Sequence, residues 1–148
     1  MSPTPLRKLA TLSWSDRLML IEAAFWLVVM RLAILLLPFR WTARAFGLTT
    51  DGGSGDVDPE RLARAARVGW AVEAVAARAR WVGTCLAQAL AGWMLLRRRK
   101  LPASLSLGVA KGEESPDGFI AHAWLRCGRT TLTGGNVDRY SVISTFTS

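Results

Sequence analysis

Two residues in this chain could carry out covalent chemistry together: Cys85, in WVGTCLAQALAG, and His122, the single histidine, in GFIAHAWLRCG. A thiol attacks as its thiolate, and an imidazole within reach can take its proton and later hand it to a leaving amine. Such a pair would cleave or transfer acyl groups. Spacing alone leaves the plainer reading open, because a buried cysteine usually packs as a small hydrophobe and a lone strand histidine as a satisfied core residue. Cys127 has no assigned role, and both thiols are expected reduced, as in a cytoplasmic protein. Two cysteines and one histidine cannot close a structural zinc site without carboxylates, so no metal and no cofactor is expected.

The pair needs a helix under the cysteine and a strand under the histidine. Thr84 to about Arg99 reads as a helix whose apolar residues (Leu86, Leu90, Trp93 and Leu96 among them) cover most of its circumference, which predicts a central, buried element. Cys85 falls in its first turn, where oriented amides and the helix dipole favour an anion. The basic run Arg97–Lys100 suits the negative end of that dipole, and Leu101-Pro102 stops the helix. Beyond it, SLSLGVA, GFIAHAWLR, RTTLT and YSVISTF read as four short strands. In the second, Ile120, His122, Trp124 and Arg126 share one face, and Phe119, Ala121, Ala123 and Leu125 the other. The fold class is therefore α+β: N-terminal helices and a buried helix starting at the cysteine, packed on a small antiparallel sheet.

Upstream, Asp58 as N-cap, Pro59 and Glu60 announce a helix to about Arg80, with Val68, Val72, Val75 and Ala79 on one face. Arg61, Arg64, Arg67 and Arg78 gather on another, a solvated stripe or, on a sharper reading, a docking surface. The Gly/Asp loop Thr49–Glu60 separates residues 1–57, a hydrophobic helical segment, from residues 58–148, the core. Leu18–Phe39 is long enough to span a bilayer. Its Glu22 and Arg31 cost about as much on insertion as its apolar residues gain, so spanning is not favoured and a buried or partner-docking helix ended by Pro38 is expected. A signal peptide fits poorly, because Arg40 and Arg44 crowd the Ala43-Arg44-Ala45 site.

The chain has 148 residues, 51% of them apolar, a net charge of +8 and a mean hydropathy of +0.23, so it is one folded domain and not a disordered one. The excess charge is almost all arginine, which favours anionic partners: phosphates, acidic peptides or an anionic membrane face. No DNA-reading motif and no basic–aromatic repeat occurs, so nucleic acid is not an expected partner.

WVGTCLAQALAGWMLLRRRKLPASLSLGV followed by FIAHAWLRCGRTTLTGG resembles the lasso peptide biosynthesis B2 proteins, leader peptidases with a transglutaminase-like, papain-related fold. The Cys-Leu helix start, the Leu-x-x-Gly-Val strand and the AHAW strand carry the likeness, closely over Arg78–Phe146 and loosely in the Leu-Pro-Phe-Arg of the N-terminal segment. The resemblance implies a cysteine protease that removes the leader from a ribosomally made precursor peptide, after which a separate ATP-using cyclase closes the macrolactam. It assigns Cys85 as nucleophile and His122 as general base and then acid, with the Cys85 N–H as one oxyanion donor. Gln88 is read as structural and Trp81 as a speculative second donor.

Several members have an Asp on the strand after the histidine, and this chain does not. Pairing across Cys127-Gly128-Arg129 sets Thr133, Gly134 or Gly135 opposite His122, and Asp138 or Asn136 just beyond could orient the imidazole. Asp138 is the expected third member, with a Cys–His dyad as the alternative. No winged-helix recognition module is visible in residues 1–57, so a stand-alone peptidase is expected, working with the precursor's leader, a small leader-recognition protein and the cyclase. Leu18–Leu37 and the arginine stripe are its candidate docking surfaces, and Leu18–Phe39 leaves membrane association open for an otherwise cytoplasmic protein. Two other readings compete: an acyltransferase or amidase on the same Cys–His pair, and a non-enzymatic, basic, membrane-associated scaffold.

Overall fold

The computed structural model describes residues 11–38, 40, 41, 44 and 56–147. Phe39, the two alanines of the Ala43-Arg44-Ala45 site and the Gly/Asp loop through Gly55 lie outside the described residues. Three helices each start on a capping side chain that accepts a first-turn N–H. Ser13 accepts from Asp16 at the head of α1 (Trp14–Leu36), Asp58 from Arg61 at α2 (Pro59–Arg78), and Thr84 from Ala87 at α3 (Cys85–Arg98). α1 stops at Leu36, before Pro38. At the other end of α3, the Arg99 guanidinium donates to the Leu95 carbonyl (3.2 Å) and the Leu101 N–H to that of Leu96 (2.9 Å), so part of the basic run serves as a C-terminal cap.

Four strands follow, β1 (Ser104–Lys111), β2 (Phe119–Cys127), β3 (Thr130–Thr133) and β4 (Ser141–Thr147), in one antiparallel sheet of order β3-β2-β1-β4. The α+β architecture expected from the sequence is the one observed. β1 is central and sets Gly108 opposite His122. α3 is fully buried at Leu90, Trp93, Leu95 and Leu96, and Leu125 of β2 seats in the notch at its Gly92.

α1 divides into two apolar faces. Met19, Ala23, Leu27 and Met30 are buried in the same core as α2 and α3, so the chain division at residue 58 does not divide the core. The opposite face, from Trp14 through Leu18, Ile21, Phe25, Val28 and Leu32 to Leu35, advances by alternating four and three residues, and each side chain exposes 38–74% of its surface. Polar clamps hold the inner face in place. Arg67 of α2 pairs with Asp16, and Arg98 and Arg99 close on Glu22 at 2.9 and 2.7 Å. Arg61 donates to the Lys100 carbonyl at 2.7 Å. Half of the arginine stripe, Arg61 and Arg67, is thus engaged within the fold.

Candidate active site

Cys85 is the first residue of α3 and half-buried. The first backbone bond of the helix is Gln88 N–H to the Thr84 carbonyl (2.9 Å), so the N–H groups of Cys85 and Leu86 precede the intrahelical ladder and are free to face an anion. The loop ahead of it is pressed against α2 at Gly83, where a Cβ would lie 2.8 Å from the Ala76 carbonyl oxygen. Gln88 donates its side-chain amide to the Gly83 carbonyl at 2.7 Å, locking that loop to the helix. Trp81 is exposed.

His122 comes from β2 beyond the end of its pairing with β3. A bulge between Leu125 and Arg126 sets Thr133 opposite Leu125, so none of Thr133, Gly134 or Gly135 pairs with His122 in the ladder. Instead the chain bends after Thr133 and returns a carbonyl: Nε2 of His122 lies 2.8 Å from the Gly134 oxygen. A carbonyl only accepts, so Nε2 carries the proton and Nδ1 is left as the basic nitrogen. Gly134 can do this because it is a glycine. Its φ is +102°, and a Cβ there would lie 2.5 Å from the Trp124 Cβ. The imidazole also stacks on Tyr140 (centroids 4.8 Å) and on the buried Trp124 (6.0 Å), which restrict its ring.

The structure therefore brings Cys85 and His122 to one place, an open cleft of about 340 Å³ that they line with Glu73, Ala76, Ala77, Gln88, Gly134 and Gly135. No hydrogen bond joins thiol to imidazole, which a catalytic pair does not require before substrate binds. Asp138 is not brought to the imidazole. It is exposed, its N–H takes the Asn136 side-chain oxygen at 3.0 Å, and its carboxylate makes no hydrogen bond to His122. The orienting position expected of a carboxylate is held by the backbone of Gly134.

Glu73 is the wall residue that the sequence reading missed. It lies on α2, a turn before Ala76 and Ala77, exposed at the cleft wall, where loss of some surrounding water raises its carboxyl from the ordinary value. Its signal in the sequence is only that it is the sole acid of α2 after Glu60. Cys127 is buried in the core, and burial pushes its thiol up despite the nearby Arg61 charge; both cysteines are free thiols. Among the described residues no cluster of three or more His, Cys, Asp and Glu side chains could hold a metal ion.

A larger cavity, about 580 Å³, is lined by Leu18, Glu22, Arg64, Arg67 and Arg99, among others, and shares no wall with the cleft. Its lining carries Ser15 but no cysteine or histidine, whereas the smaller cleft holds both Cys85 and His122. A family model described as the transglutaminase-like superfamily matches residues 33–145, from the last turn of α1 into β4. No curated protein and no solved structure matches the chain.

Proposed function

Because this chain belongs to the transglutaminase-like superfamily, whose members are typically cysteine enzymes, we propose that it is a cysteine endopeptidase that removes the leader from a ribosomally made lasso peptide precursor. One observation carries the reading: a cysteine at a helix N-terminus and a histidine whose Nε2 is already committed line the same cleft. The motif resemblance over Arg78–Phe146 supports the choice of substrate.

In this reading the Cys85 proton passes to Nδ1 of His122 and Sγ attacks the scissile carbonyl carbon. The oxyanion develops against the first turn of α3, where the Cys85 N–H can meet it. Collapse breaks the C–N bond, and the leaving amine, the new N-terminus of the core peptide, takes the proton back from Nδ1. Water then loses a proton to Nδ1, attacks the thioester, and releases the leader as a carboxylate with the thiol restored. A separate small protein presents the leader, and an ATP-using cyclase consumes the freed amine.

Incubation with precursor and recognition protein, followed by mass spectrometry, tests this. Two fragments whose masses sum to precursor plus one water are expected. Cys85→Ala and His122→Ala should each lower the rate by about 10³-fold or more with circular dichroism unchanged. Undiminished cleavage by Cys85→Ala would end the reading.

Glu73 favours one alternative on the same pair. A carboxylate in the cleft draws an ammonium group, and an amine there could take the acyl group in place of water. In the same assay a leader fragment heavier by an added amine, lost in Glu73→Gln, would identify that acyltransferase.

A further inference from the structure

α1 is the one described helix long and apolar enough to cross a membrane, yet it cannot do so in this fold. Its inner face belongs to the core, and both of its acids, Asp16 and Glu22, are tied to arginines of α2 and of the α3 C-terminal end. What the described residues leave uncovered is the outer seam from Trp14 to Leu35, about 30 Å of continuous apolar surface at the rise of an α-helix. Exposed apolar strips of that extent mark contact with another molecule or with lipid.

Charge identifies the occupant. With Asp16 and Glu22 neutralised inward, the seam's borders offer arginines and no free acid among the described residues. Arg17 stands over the Trp14 ring at 5.4 Å, Arg31 shares that border of the helix, and exposed Arg40, Trp41 and Arg44 follow its C-terminal end. Tryptophans at both ends of an apolar strip, each with an arginine beside it, suit the boundary between headgroups and acyl chains. Leu18 on the seam also lines the 580 Å³ cavity with Arg64, Arg67 and Arg99. Arg67 and Arg99 are engaged there, whereas the Arg64 side chain has no partner among the described residues. A second copy would bring two positive rims together with no free acid between them, and an anionic bilayer supplies the missing charge.

We propose that the outer face of α1 seats this protein flat on an anionic phospholipid surface, with the arginine-lined cavity beside Leu18 turned to the phosphates. This does not depend on the peptidase reading. The full chain should float with vesicles of phosphatidylcholine containing one third phosphatidylglycerol, stay behind with phosphatidylcholine alone, and be released by salt. Ile21→Glu combined with Phe25→Glu should weaken binding more than about tenfold, and Arg64→Glu several-fold, with circular dichroism and melting temperature unchanged. Quenching of tryptophan emission by brominated acyl chains provides a readout that needs no variant.

No flotation with the anionic vesicles, no quenching, or undiminished binding by the double variant would each overturn the proposal. So would a dimer by light scattering that the double variant splits while vesicle binding stays absent, since the seam would then belong to a second copy. Flotation only in the presence of a recognition protein would assign it to a protein partner and overturn the proposal equally.

Discussion

The cleft and the outer face of α1 are built on opposite terms. The cleft depends on small residues and backbone atoms: Gly83 lets the loop before Cys85 lie on α2, and Gly134 turns a carbonyl to His122. The outer face depends on large side chains at a helical period, each substantially exposed. A site that positions individual atoms should fail when one methyl is added. A surface that works by summed area should tolerate the loss of several.

Gly134→Ala tests that contrast most severely. The new Cβ would strike Trp124 at a φ of +102°, so the Gly134 carbonyl must move off Nε2. Strain of this kind costs about 1–3 kcal/mol of stability. The larger loss should be in turnover, about 100-fold for an imidazole freed to rotate, beyond anything the folded fraction explains. Asp138→Asn should change turnover less than about twofold, since its carboxylate touches nothing at the imidazole. If Asp138→Asn is the damaging change and Gly134→Ala the mild one, a carboxylate triad assembles on substrate binding and the backbone account is wrong. Measured kcat for the two variants side by side decides it.

The next contrast lies within α1. Leu27 is fully buried on the inner face, and Leu27→Ala should cost about 2–5 kcal/mol in chemical denaturation through the lost transfer energy and the cavity left behind. Ile21, 65% exposed on the outer face, should cost within about 0.5 kcal/mol when cut to Ala. Comparable losses at the two positions would mean that the outer face is covered in solution, and the comparison on which its docking role rests would collapse.

The two regions also differ in how legible they are. The start of α3 at Cys85 and the strand under His122 were both readable, because caps, helical period and alternation are properties of residue type. The apolar length of α1 was readable too, but not which half of it the core would take, since both faces carry large hydrophobics and only packing on α2 and α3 separates them. The imidazole's partner was not readable. A backbone carbonyl has no letter, and the bulge at Leu125–Arg126 that shifts β3 out of register with His122 leaves no mark that a strand pattern can carry. Glu73 escaped for a related reason. It reaches the cleft through the contact of Gly83 with Ala76, between segments that look unrelated in sequence.

The smallest effect concerns the charge that ties the two faces of α1 together. Asp16 is held below its ordinary 3.8, first by the Arg67 guanidinium and then by the Ser13 hydroxyl. A carboxyl depressed on folding stabilises the folded state fully above its unfolded value, and that contribution fades as pH falls through the lower folded value. The melting temperatures of the parent and Asp16→Asn should therefore differ by a small, constant amount at neutral pH and converge only in strong acid. At neutral pH the same variant releases Arg67 into the cavity beside Leu18, so its affinity for anionic vesicles should rise by less than about fivefold, the worth of one cation near a charged surface. A fall in that affinity would mean the Asp16–Arg67 clamp is needed to present the seam, and that the inner face governs the outer one by geometry instead of charge.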